Sequence, residues 1–79
     1  SFDGVFDLVD QRIVGKNHLK VSLRLPGGKR IINGIVFNID LDQWPNERVE
    51  QVHIIYRLDI NHFQGSENLQ LIIELIQAQ

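Results

Sequence analysis

From His18 onward the chain alternates. Leu19, Val21, Leu23 and Leu25 fall on one side of an extended backbone, and Lys20, Ser22 and Arg24 on the other. A period of two marks a half-buried strand. It predicts a strand from about His18 to Leu25, which Pro26-Gly27-Gly28 stops by removing a hydrogen-bond donor and adding two permissive residues. Before it, Phe2 to Val14 predicts a first strand with Phe6 and Leu8 on one face and Gly4 as the place for a bulge or strong bend. Val14 to His18 is the turn between the two, because Gly15 and Asn17 tolerate positive φ.

Arg30 to Asn38 predicts a third strand that is apolar in both phases, with Ile31, Ile35 and Phe37 set against Ile32 and Val36. Two readings fit: a central strand covered on both faces, or a phase shift at a bulge on Gly34. The fourth strand carries Val52, Ile54, Tyr56, Leu58 and Ile60 on one face, with His53, Ile55, Arg57 and Asp59 opposite, and ends at Asn61. A loop from His62 to Asn68 leads to a fifth strand, Leu69 to Ile76, alternating through Leu69, Leu71, Ile73 and Leu75.

Asp40 to Glu50 breaks the pattern. With Asp42 as candidate N-cap and Pro45 confined to a first turn, it holds at most a short helix or 3₁₀ turn, anchored in the core by Trp44. Five strands with their irregular segment between the third and fourth predict an all-β fold: a five-stranded Greek-key OB-fold barrel with a short helical turn between strands 3 and 4. The rival is a small open barrel of the SH3 type, whose strands are shorter and whose long loops fall earlier.

Seventy-nine residues support one domain, 1–79, that buries only about 60% of its unfolded surface. A stability of roughly 4 to 8 kcal/mol follows. The chain has no cysteine, so neither a disulfide nor a thiolate metal site assists. No apolar run approaches the roughly 18 residues of a membrane span, so no membrane partner is expected and a cytoplasmic domain is. The chain also lacks methionine and opens inside a strand pattern, and we read it as a piece of a longer protein.

Charge changes the picture most. Arg12, Lys16, Lys20, Arg24, Lys29 and Arg30 lie between Arg12 and Ile39, a stretch with no acid, although the formal net charge is -2. The remainder holds two basic and ten acidic residues. A basic strip within an acidic chain points to a polyanion-facing surface, against the alternative that its lysines merely keep an outer face wet.

Catalytic chemistry is harder to find. His18, His53 and His62 are scattered over a turn, a strand and a loop without ligand spacing, which favours structural or solvent-facing roles. Asp40 and Asp42 straddle one residue, as a capping and turn pair does, and too few carboxylates stand nearby for a hard-cation site. No nucleophile elbow or phosphate loop is present, so the chain by itself is expected to have no catalytic site and no cofactor. What remains is binding. An OB-fold takes nucleic acid across its second and third strands, flanked by the loops joining strands 1–2 and 4–5. That places Lys16 and His18 in the first loop, Lys20, Ser22 and Arg24 on the second strand, Arg30 opening the third, and Phe63 in the last loop.

Several motifs together resemble a known family: Phe2 to Gly15 (FDGVFDLVDQRIVG), His18-Leu-Lys-Val21, Asn33-Gly-Ile-Val-Phe-Asn38, Tyr56-Arg-Leu-Asp-Ile-Asn61, then Phe63, Gly65 and Leu69-Gln-Leu71. They are similar to the OB domain of the bacterial single-stranded-DNA-specific exonucleases of the RecJ family, over nearly the whole chain. The resemblance implies an accessory domain that grips single-stranded DNA in a multidomain enzyme cutting from the 5′ end, active in DNA repair and recombination. It also implies a separate phosphoesterase core carrying divalent metal ions, Mg or Mn, whose Asp-His-His string is absent here. Implied partners are single-stranded DNA, the remaining domains of the parent enzyme, and the single-strand-binding protein that coats the substrate. Asn33 stands where that family favours an acid and Gln64 where it favours a basic residue, which strengthens the basic strip and weakens the last loop as a phosphate contact. The alternative is a structural or docking barrel, to which the apolar residues outside the main alternation, Ile32, Val36, Ile55, Ile72 and Ile76, would belong.

Overall fold

The computed structural model describes residues 1–44 and 48–79, with Phe63 described in its backbone alone. It has five strands: β1 (Phe2–Val14), β2 (His18–Arg24), β3 (Ile31–Val36), β4 (Gln51–Phe63) and β5 (Ser66–Ala78). They close into a barrel in the order β1-β2-β3-β5-β4, in which β3 runs parallel to β5 and every other neighbouring pair is antiparallel. β1 is long enough, at 13 residues, to pair with β2 through one half and β4 through the other, which closes the sheet. This is the OB-fold, not the SH3-type rival.

Leu19, Leu23, Val52, Ile54 and Leu71 fill the barrel and are almost completely inaccessible to solvent. Phe6, Leu8, Val21, Val36, Trp44 and Ile73 complete the core, with Ile32, Ile39, Val49, Tyr56 and Ile76 packed against it. Ile32, Val36 and Ile76 therefore belong to the core and not to a docking surface. Leu25 does not follow the alternation inward: β2 ends at Arg24 and Leu25 is 54% exposed. β3 is central, paired to β2 and β5, and its register with β2 runs unbroken from Ile31 to Val36. The bulge reading at Gly34 is thereby excluded. Gly34 instead makes room, since a Cβ there would lie 2.9 Å from Ile73 Cδ1 and 3.2 Å from Val21 Cγ2.

Two bulges lie elsewhere. Between Leu8 and Asp10 the β1–β2 register shifts by one residue at Val9, so the predicted irregularity at Gly4 is misplaced; Gly4 pairs regularly with Ile54. Across β4–β5, Ile55 faces Leu75 while Tyr56 faces Ile73, which leaves Glu74 as the extra residue. An extra residue reverses which side chains point inward. Leu75 therefore turns outward, 44% exposed, and Ile76 takes the inner position the simple alternation gave it.

No helix occurs among the described residues, so the expected helical turn between β3 and β4 is corrected. The segment is a hydrogen-bonded turn: Asp40 carbonyl accepts from Gln43 N–H (3.1 Å) and Trp44 N–H (2.9 Å), and Asp40 Oδ1 accepts from Asp42 N–H (3.0 Å). Asp40, not Asp42, is the capping residue, and this turn is the use made of the aspartate pair. The Pro45 expectation falls outside the described residues. Trp44 is buried as expected, and its indole N–H donates to Gln11 Oε1 at 2.8 Å.

The predicted His62–Asn68 loop is also replaced. β4 and β5 continue to Phe63 and from Ser66, joined by Gln64 (φ 51°) and Gly65 (φ 80°). Two central residues at positive φ match the right-handed twist of a hairpin. The result is a long two-stranded arm: β1 pairs with β4 no further than Tyr56, and β3 pairs with β5 only from Gln70 to Ile73.

Candidate nucleic-acid interface

Paired residues on neighbouring strands share a face, so the register determines what stands beside the outward side chains of β2. One row runs Arg12–Lys20–Ile35–Ile72–Arg57 across β1, β2, β3, β5 and β4. The next runs Asp10–Ser22–Asn33–Gln70–Asp59, and at the far end of β2 Arg24 lies between Asp7 and Ile31. A groove of about 410 Å³ opens on this face, lined by Asp10, Gln11 and Arg12, by Lys20, Ser22 and Asn33, and by Gln70 at the base of the arm with Asn61 and Asn68 on it. The arm thus forms one wall and the β1–β2 hairpin the other.

Of the seven expected binding residues, the structure brings Lys20 and Ser22 to this groove. Arg24 is elsewhere. Its Nη2 lies 3.7 Å from Asp7 Oδ2, and the same carboxylate accepts from Gln51 Nε2 at 3.0 Å, in a second hollow that also holds Arg48 and Glu50. Lys16 is exposed in the β1–β2 turn and Arg30 in the β2–β3 connection. His18 is engaged by the fold: Asn38 N–H donates to its Nδ1 (3.1 Å), its ring meets Phe37 edge-to-face at 5.4 Å, and beside it Ile39 N–H donates to Asn17 carbonyl (2.8 Å). Phe63 pairs with Ser66 at the tip of the arm, and its side chain is outside what the structure describes. The other two histidines make local contacts, His53 Nε2 with Asp3 Oδ2 at 2.9 Å and His62 Nδ1 with Glu67 Oε1 at 3.8 Å. Among the described residues no group of three or more histidines and carboxylates is placed to hold a metal ion.

Arg12 was missed as an interface residue for a physical reason. Counting by twos from Phe6 and Leu8 sends it inward, and only the bulge at Val9 turns it out beside Lys20. The signal was present in the charged pair Asp10 and Arg12 at supposedly inner positions. Two cations directly opposite one another on a sheet repel, and among the described residues neither has a carboxylate within 4.0 Å. Phe37 was also missed. Assigned to a strand interior by its apolar run, it is 52% exposed in the turn after β3, its ring leaning on His18.

A family model described as the RecJ OB domain matches residues 2–75. A single-stranded-DNA-specific exonuclease RecJ from Escherichia coli is 48% identical over 75 residues, covering 95% of this chain and 13% of that protein. Its counterpart from Salmonella typhimurium is 49% identical over 73 residues (92% and 13%), and that from Haemophilus influenzae 40% over 78 residues (96% and 14%). The chain therefore spans about an eighth of the length of the relatives it matches. No solved structure matches.

Proposed function

The chain belongs to the RecJ OB domain family, and from that premise we propose that it is the single-stranded-DNA-binding accessory domain of a longer RecJ-like 5′→3′ exonuclease, a cytoplasmic enzyme of DNA repair and recombination. The catalytic residues and their divalent metal ions belong to the rest of that enzyme. The observation that carries the reading is the Arg12–Lys20 pair. A cross-strand like-charge contact costs stability, and a polyanion laid across the pair offsets that cost. Lys16 and Arg30 extend the positive surface, while Ser22 offers a hydroxyl in the groove. Phe37 is the exposed ring on which a base stacks, and His18 positions it. Phosphate contact by mobile cations with stacking on an aromatic ring is the usual chemistry of sequence-tolerant single-strand binding.

Each strand has both of its neighbours within the 79 residues, so the chain is suited to study by itself. Fluorescence anisotropy of a labelled oligothymidine across a salt series is the test. With Arg12, Lys16 and Lys20 on phosphates, log affinity falls against log salt with a slope of about -2, from roughly -0.7 per contact. Affinity independent of salt, or equal on duplex, refutes the proposal.

A second reading concerns the arm. Leu58, Ile60 and Leu69 share its inner face beyond the closed part of the barrel, Phe2 of β1 adjoins them beside Tyr56, and the four are 40% to 56% exposed. In a chain several times longer, this apolar patch packs on another part of the same enzyme. Hydrogen exchange of residues 58–69 decides it. Protection in the full-length enzyme but not in the 79-residue chain supports docking, equal exchange removes it, and protection appearing only with single-strand-binding protein assigns the patch to that partner instead.

A further inference from the structure

We propose that the groove reads the edges of unpaired bases, so that part of the discrimination against duplex is made here by hydrogen bonds and not by charge alone. The inference rests on the binding function proposed above and names what the groove takes from the strand. Its polar lining is mostly amide: Asn33 from β3, Gln70 and Asn68 from β5, and Asn61 from β4, with Ser22 beside them. The register makes Asn33 the neighbour of Gln70, and Asn61 the partner of Asn68. Among the described residues none of these five side chains donates or accepts a hydrogen bond within the fold. Of the other described amides, Gln11, which also lines the groove, holds the Trp44 indole, and Gln51 holds Asp7.

An amide carries an acceptor and two donors in one plane and pairs with the donor and acceptor groups along a base edge. Four of them with no intramolecular partner, in a groove of about 410 Å³, form an adaptable set of partners for any base and for none in particular. A strand whose phosphates run along Arg12 and Lys20 presents its bases toward β3 and the arm. Duplex DNA cannot use this arrangement, because its Watson–Crick edges are already paired. The polar row is bounded by Asp10 and Asp59, which repel phosphate and so keep the backbone on the Arg12–Lys20 row.

The probe is an oligothymidine in which each base carries a methyl group on N3, leaving phosphates and stacking faces intact while removing the edge donor. We expect the 79-residue chain to bind it about tenfold more weakly than ordinary oligothymidine, the lower end of what one good edge contact discriminates. In the Asn33→Ala/Gln70→Ala variant the two oligomers bind alike, while the salt slope keeps its wild-type value. Circular dichroism melting confirms that this variant folds, and Asn61→Ala/Asn68→Ala on the arm serves if it does not. Equal binding of the two oligomers by the wild-type chain overturns the proposal, as does a tenfold difference that survives both variants. Absence of binding to either oligomer overturns the binding function itself, a separate outcome.

Discussion

Lys20 and Arg24 look equivalent along the chain: two long cations on the outward face of one strand, four residues apart. The fold makes them different. Arg24 faces β1 before the bulge and meets Asp7, an acid also held by Gln51, whereas Lys20 faces β1 after the bulge and meets Arg12. One end of β2 is electrostatically closed and the other open. Local alternation tells which way a side chain points, but the neighbouring strand's register decides what it points beside.

The largest expected effect comes from removing the device that separates the two ends. Inserting one alanine between Ser22 and Leu23 gives Val9 a partner and restores simple alternation to both strands, which turns Asp10, Arg12 and Lys20 into the barrel and Leu19 and Val21 out of it. Buried unpaired charge costs several kcal/mol, comparable with the whole stability of roughly 4 to 8 kcal/mol. Circular dichroism should therefore show no cooperative melt. A variant that melts normally would mean that the bulge does not determine the register.

The next contrast is aromatic. Phe37→Ala, at the Lys20 end, should weaken binding of oligothymidine by about 1 to 3 kcal/mol, the loss of one stacked base. Ile31→Ala, beside Arg24, should leave the affinity unchanged, and equal losses in anisotropy titrations would erase the difference between the ends.

Single cation replacements give a smaller, sharper reading. Lys20→Ala should reduce the steepness of the salt dependence by about 0.7, one phosphate contact on a single strand. Arg24→Ala should change it far less, and Asp7→Asn, which releases Arg24, should strengthen binding at low salt. Should Arg24→Ala match Lys20→Ala, the ion pair does not withhold the guanidinium.

Stability should move least. Losing the partly exposed Arg24–Asp7 pair costs up to about 1 kcal/mol. Lys20→Ala stays within about 0.5 kcal/mol and tends toward stabilisation, because it relieves repulsion from Arg12. Urea titrations of both variants measure the difference.

What could be read from the chain alone was local. The alternation of Leu19, Val21 and Leu23 reflects the fixed two-residue repeat of extended backbone, and those side chains fill the barrel. The Trp44 anchor and the bounds of β1 were legible for similar reasons: a large apolar side chain needs burial, and a stretch free of proline runs up to the turn formers Gly15 and Asn17. The basic stretch was visible as composition. Tertiary structure decided the rest. Neither Val9 nor Glu74 carries a distinctive bulge residue type, because a bulge arises from the mismatch of two paired strands and belongs to neither sequence by itself. Those two mismatches turned Arg12 and Leu75 outward and Ile76 inward. Pairing across the β1–β2 hairpin placed Asp7 on Arg24, and the hairpin arm carried Asn61 and Asn68, more than 35 residues beyond Ser22, into the same groove. The repeat of a strand is a property of consecutive residues, but the composition of a surface is set by residues that meet only when the sheet closes.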